Sequence, residues 1–274
     1  MIDINSTEGI IFLSYLTRYN IAEIYNILNL QEHNYFEIEY LANKVDKSLP
    51  KRIQEALKTT EITVEKLRYH QIQAIPFFDV NYPIGLKKLK DAPPILYVRG
   101  KLKNMHFTAI VGSRKASPIA SDSVMEIAET FHHYKFGIVS GLALGIDEYA
   151  HSAALKLKGY TAAILPTSLD NIYPLENYGL ANRILESEGV LISEIPIGIN
   201  RGKMSFIERN RLQTGISDFT IPVEMGVNSG TMHTVNFCIQ QSKKLLIPIP
   251  PKEVLDKYQP FYDGIIHLRD KYKD

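Results

Sequence analysis

The sequence predicts an α/β fold, a mainly parallel sheet covered by helices with a small helical domain before it. Three observations carry that expectation. From residue 107 onward six apolar runs, FTAIVG, FGIVS, YTAAILP, VLISEI, FTIPVEM and KKLLIPI, alternate with stretches of helical character. Such alternation calls for right-handed βαβ crossovers, and parallel strands covered on both faces read as continuous apolar runs. The first part of the chain, by contrast, holds apolar residues near helical spacing and no strand alternation. Between the two, Pro76, Pro83, Pro93 and Pro94 punctuate short strand-like pieces and one short helix.

In chain order, Ile10, Ile11, Leu13 and Leu16, then Ile21, Ile24, Ile27 and Leu28, mark the short N-terminal helices. Residues 1–62 are expected to form the helical domain and 63–274 the sheet domain. Within the latter, helices are expected up to Tyr134 and over 147–158, 176–187, 206–214 and 231–241. Ligands on such a sheet bind outside the carboxyl ends of the strands, so the loops after Gly112, Ser140, Pro166, Glu194 and Met225 should share one crevice.

Composition narrows the function classes. A formal charge of +1 over 274 residues gives no global pull on a polyanion, so any such partner must meet a local cluster. One cysteine, Cys238, excludes an internal disulfide framework, and the N-terminal stretch lacks the basic start and small-residue cleavage site of a signal peptide. A cytoplasmic location is expected. No apolar run reaches the roughly 20 residues that span a bilayer, so no membrane partner is expected. No residues stand at metal-ligand spacing, and neither a metal nor a cofactor is expected.

Four loops could carry chemistry. VGSRKASP (111–118) ends its strand with Gly112, Ser113, Arg114 and Lys115, and Ser117-Pro118 offers a cap and a first-turn proline for the next helix. VSGLALGIDEYAH (139–151) places Ser140, Gly141 and Gly145 before a helix opening at Asp147, and glycines beside unpaired helix N–H groups favour an anion. Asp147 reads as a cap or first-turn acid, and His151, one turn on, could pair with it. The stretch 199–218 sets Arg201, Lys203, Arg209 and Arg211 around Phe206, a pattern that suits single-stranded nucleic acid, with cations on phosphates and a ring under a splayed base. The fourth loop, VEMGVNSGTMHT (223–234), brings Asn228, Ser229, Gly230 and Thr231 to another helix start.

The familiar alternatives fail on spacing. Gly141 and Gly145 do not make G-x-G-x-x-G, there is no G-x-x-x-x-G-K-[ST], and Ser140 does not stand in G-x-S-x-G. His132 and His133, adjacent on one helix, read as solvated.

Taken in order, GSR (112–114), SGLALGID (140–147), LDNIYPLEN (169–177), SEIPIG (193–198), F-x-x-RNR (206–211), GISD (215–218) and NSGTMHT (228–234) resemble the DprA/Smf family of bacterial DNA-processing proteins. Tyr82-Pro83, Pro93-Pro94 and Arg99-Gly100 are similar to that family's lead-in. The resemblance implies an extended Rossmann-like, doubly wound domain that binds single-stranded DNA, forms a homodimer and loads the RecA recombinase during natural transformation, with no enzyme activity. By matching motif, Arg114 would bind phosphate, Ser140 and Gly141 would add hydroxyl and backbone contacts, and Phe206, Arg209 and Arg211 would line the strand's path. Asn210 and Asp170 would hold loops in shape. The sequence departs from the family at Pro166, usually glycine, at Ile207, usually proline, and after Lys243, where the usual Pro-Gly and cysteine-asparagine stretch are missing. The helical N-terminus is similar to the family's sterile-alpha-motif-like domain only in size and helix content.

Two rival readings share the same loops. One is a phosphoribohydrolase-like enzyme, whose G-G-x-G-T-x-x-E loop carries a glutamate where this chain has Thr234. The other is a nucleotide sensor, which would use the same phosphate loops.

Overall fold

A computed structural model describes residues 2–29, 35–36 and 49–272. The remainder of the expected helical stretch, 30–34 and 37–48, lies outside the described residues. β1 (Ile2–Asp3) pairs antiparallel with β2 (Tyr35–Phe36), a ladder too short to leave an alternation in the sequence. α1 (Thr7–Leu16) starts where the Ser6 hydroxyl accepts the Gly9 amide at 3.0 Å, and α2 (Ile21–Asn29) follows. α3 (Leu49–Tyr69) runs through residue 62 and leads directly into β3 (Ile72–Pro76). Ile10, Phe12 and Leu13 of α1 share one core with Tyr97 and Ala163 of the sheet and Leu165 just beyond it.

After β3 come α4 (Ile84–Lys87) and β4 (Ile95–Gly100), the short pieces expected between the prolines. The alternating part then runs β5 (Phe107–Val111), α5 (Ala120–His133), β6 (Gly137–Ser140), α6 (Ile146–Lys156), β7 (Thr161–Ile164), α7 (Tyr178–Glu186), β8 (Val190–Ser193), α8 (Met204–Ile216), β9 (Phe219–Pro222), α9 (Gly230–Gln240), β10 (Lys244–Leu245) and α10 (Lys252–Lys271). A single eight-stranded sheet forms in the order β10-β9-β5-β6-β7-β8-β4-β3. Six strands are parallel; β4 joins β8 antiparallel and β3 joins β4 the same way, which adds two strands the alternation alone did not assign to the sheet.

Every residue of β5 to β8 is buried, as expected for strands covered on both faces. The chain steps outward from β5 to β8, then returns through α8 to place β9 and β10 on the other side of β5. The order therefore reverses between β5 and β9, where a crevice opens above the strand ends. One expected run is shorter than its apolar stretch: only Lys244 and Leu245 of 243–249 pair, because Pro248 and Pro250 have no N–H to give a ladder.

Candidate nucleic-acid interface

The loop after β5 is a self-tied turn. The Ser113 amide donates to the Glu224 carbonyl at 2.8 Å, its hydroxyl donates to the Lys115 carbonyl at 2.8 Å, and the Lys115 amide returns to that hydroxyl at 3.1 Å. Arg114 and Lys115 are left exposed at the tip. The Arg114 guanidinium lies over the Phe206 ring, 5.5 Å from its centroid. The expected cap at Ser117 is corrected: α5 begins at Ala120, and Ser117 turns its amide and hydroxyl to the fully buried Glu224 carboxylate at 2.8 and 2.5 Å. A buried carboxylate needs those donors more than a helix end open to water does.

Between this turn and the start of α9 lies a cavity of about 400 Å³, walled by Arg114, Asp147, Phe206, Asn210, Gln213 and the Ser229–Thr231 turn. Two of its side-chain donors are unclaimed. No side chain caps α9, the Ser229 hydroxyl has no partner, and a Cβ built on Gly230 would meet nothing within 4 Å. Gln213, 1% exposed, leaves its amide nitrogen unpartnered at the same cavity. A helix N-terminus, two neutral donors and an arginine so arranged fit an anion, phosphate by size. Thr231 is buried behind the turn and Asn228 is exposed beside it.

The second glycine loop differs from its reading as an anion cradle. Its donors are already engaged within the chain: the Gly141 amide meets the Asp147 carboxylate at 3.0 Å, and the Ile146 amide meets the Ser113 carbonyl at 3.2 Å. Gly141 must lack a Cβ because that atom would sit 2.4 Å from the Arg209 guanidinium. Arg209, 5% exposed, donates to the carbonyls of Gly141 (2.7 Å) and Ile164 and so forms the crevice floor. Burial holds the Asp147 carboxyl above its usual range, opposed by Arg209, and lowers the Arg209 guanidinium to about 10, opposed by Asp147. Ser140, fully buried, donates to the Ile110 carbonyl at 2.7 Å. His151 does not pair with Asp147; its Nδ1 meets the Thr161 hydroxyl at 2.7 Å, and burial, with Arg209 beside it, lowers its pKa to about 3.

Arg211 faces away from the crevice. Its guanidinium grips Glu194 through two contacts of 2.7 Å and Asp91 through its carboxylate at 2.6 Å and its carbonyl at 3.0 Å. Burial pulls the arginine toward neutrality, yet Glu194 outweighs it and holds the guanidinium above its ordinary range. The loop after Glu194 is therefore not a wall of the crevice as expected, because Glu194 is drawn to the opposite side of α8. The loops after Gly112, Ser140, Pro166 and Met225 do converge there.

A further aromatic completes the rim. The Tyr173 ring meets Phe206 edge to face, with centroids 5.3 Å apart at 83°. Asn177 steadies this loop by donating to the carbonyls of Leu142 and Ala143 at 2.9 and 3.2 Å. The segment around Asp170 is held by Thr167, whose hydroxyl donates to the Asn171 carbonyl at 2.7 Å, while Asp170 itself is exposed; Asn210 accepts from Arg209 at 3.2 Å. Lys203 is exposed just before α8. Sequence reasoning passed over Tyr173, Asn177 and Gln213; the tyrosine's signal was its place beside Pro174 in the 169–177 motif. Among the described residues no group of His, Cys, Asp and Glu is placed to hold a metal, and no helix is long and apolar enough to cross a membrane.

Comparison with known proteins follows the same lines. The family model for DNA recombination-mediator protein A matches residues 73–260. The protein Smf of Escherichia coli is 32% identical over 194 residues, 70% of this chain and 51% of that protein. The DNA processing protein DprA of Streptococcus pneumoniae is 33% identical over 203 residues, 72% of this chain and 70% of that one. The match spans about half the length of the Escherichia coli protein and 41% of the Smf protein of Synechocystis. Among solved structures, DprA from Streptococcus pneumoniae has a TM-score of 0.77 at 25% identity, covering 97% of this chain and 93% of its own. The DNA processing protein A of Helicobacter pylori, whose structure addresses its single-stranded DNA binding mode, has a TM-score of 0.59 at 29% identity, covering 74% and 97%.

Proposed function

The chain belongs to the DNA recombination-mediator protein A family, and on that premise we propose that it binds single-stranded DNA across the crevice between β5 and β9, shields the strand and passes it to RecA. The observation that carries this reading is the convergence of Arg114, the uncapped α9 terminus and Phe206 on one cavity, with Tyr173 packed against Phe206 beside it. Cations and N–H donors suit phosphates, and rings suit unstacked bases of any sequence. Ser113, Arg114, Lys115, Lys203, Phe206 and the 228–231 turn would touch the strand. Gly112, Ser140, Gly141, Arg209 and Arg211 would hold the walls in place.

A strand binder without a Walker loop cannot drive strand exchange by ATP hydrolysis, so the bound strand must go to a partner that can. RecA is that partner in this reading, natural transformation the setting and the cytoplasm the place. Residues 1–62 would form the helical unit and 63–274 the DNA-binding one. A homodimer would join two crevices and raise the effective concentration for one long strand, so affinity would step up once an oligonucleotide spans both. The protein would act by binding, not catalysis.

The test is a salt titration with oligonucleotides and mononucleotides. With about three to five phosphates neutralised, log Kd should rise with log salt at a slope of roughly 2 to 3.5. Equal affinity for a lone nucleotide would favour the nucleotide-sensor reading. Sedimentation and a RecA filament-nucleation assay on DNA coated with single-strand binding protein test the rest: a monomer that leaves the nucleation lag unchanged would reject the loader role.

A further inference from the structure

The residues that follow β9 are held from two sides. In front, the Val223 amide donates to the Val111 carbonyl at 3.0 Å, and the Glu224 carbonyl accepts the Ser113 amide at 2.8 Å, which seats the Arg114 turn. Behind, Met225 gives its amide to the Phe261 carbonyl at 2.9 Å and receives the Gly264 amide on its own carbonyl at 2.8 Å. Phe261 and Gly264 lie in the second half of α10, past the bend where Tyr258 leaves helical geometry at φ −124° and ψ 22°. A Cβ on Gly264 would stand 2.7 Å from the Met225 carbonyl oxygen and 2.9 Å from that of Gly226. Backbone carbonyls, unlike the tip of a long side chain, cannot swing aside, so this approach needs glycine.

The contact reaches the crevice within a few residues. The Gly226 carbonyl accepts the Ser229 amide at 3.2 Å in the turn that opens α9, and Val235 of α9 shares one apolar cluster with Met225, Tyr262, Ile265 and Leu268. Both the Arg114 turn and the α9 terminus, which face each other across the 400 Å³ cavity, are thus tied to a segment backed by α10. Among the described residues none of α10 lines that cavity itself.

We propose that Gly264 is a positioning residue for strand binding: by admitting the backbone of 225–226 against α10, it sets the separation of the Arg114 turn and the start of α9, and with it the fit of a phosphate between them. This rests on the strand-binding reading above and adds to it a determinant outside the crevice. The effect is reciprocal, because a ligand that needs the closed arrangement must also favour it.

Amide exchange in the unaltered protein, with and without a saturating oligonucleotide, tests the link. The strand should slow exchange at Met225 and Gly264 by about tenfold, a common size for coupling between separate sites. Amides in the first half of α10, before Tyr258, should not change. Gly264→Ala should bind the strand about tenfold more weakly per folded molecule, by the same coupling. Alanine is the better helix former, so weakened helix propensity cannot account for that loss. Leu268→Ala, about one turn on in the same cluster, should lower the melting temperature and leave the affinity of the folded fraction unchanged. The proposal is overturned if exchange at Met225 and Gly264 ignores the bound strand, if Gly264→Ala keeps full affinity, or if Leu268→Ala loses as much affinity as Gly264→Ala. Should Gly264→Ala fail to fold, the exchange comparison decides alone. An unaltered protein that binds no oligonucleotide would overturn the strand-binding reading itself, a result seen without any change at position 264.

Discussion

Arg209 reaches 68 positions back along the chain to hold the Gly141 carbonyl at 2.7 Å, and it occupies the space a side chain at position 141 would need. Gly141→Ala should therefore displace a buried guanidinium and cost about 3 kcal/mol of stability. Gly230→Ala faces open space and should leave the fold within about 0.5 kcal/mol. Urea unfolding of the two variants side by side measures the contrast.

Arg114 is exposed, and among the described residues its guanidinium lies over the face of the Phe206 ring. Arg114→Ala should weaken single-stranded DNA binding by about 1 to 3 kcal/mol, the range of a charge-assisted hydrogen bond. Fluorescence anisotropy reads the affinity, and an unchanged melting temperature separates lost binding from lost structure.

Arg211 should behave in the opposite way. Arg211→Ala leaves the buried Glu194 without its cationic partner, which costs about 3 to 5 kcal/mol. Replacing both partners with apolar residues, Arg211→Met with Glu194→Leu, should recover most of that loss. Denaturation midpoints of the single and double variants decide it, and a double variant no better than the single one would contradict the assignment.

His151 sets a pH dependence. Its folded pKa is about 3, lowered by burial and then by Arg209, against the ordinary 6.5. Below 6.5 the unfolded chain takes up a proton that the native state refuses. The stability is therefore complete above that value and lost as pH falls toward 3. At pH 5 the loss should be about 2 kcal/mol. His151→Gln should flatten the slope of unfolding free energy against pH over 5 to 6.5.

The sheet was legible because its strands are covered on both faces, which leaves uninterrupted apolar runs such as 107–112 and 160–166. What sequence could not supply was long-range pairing. The places of β3 and β4 at the sheet edge, the guanidinium that fills the Gly141 loop and the grip of Glu194 on Arg211 all join segments far apart in the chain. One misreading could have been avoided. Residues 209 and 211 are two apart on a helix, about 200° around its axis, so they could not both face one crevice. Tyr173 stayed hidden because an aromatic next to proline looks the same whether it plugs a turn or stands in solvent.

The brevity of β10 limits how chains can meet. An edge strand of two residues, followed by Pro248, Pro250 and Pro251, gives an incoming backbone almost no rungs to climb. Molecules of this protein find little there to build a shared sheet on, so any association at that end must be made chiefly side chain to side chain.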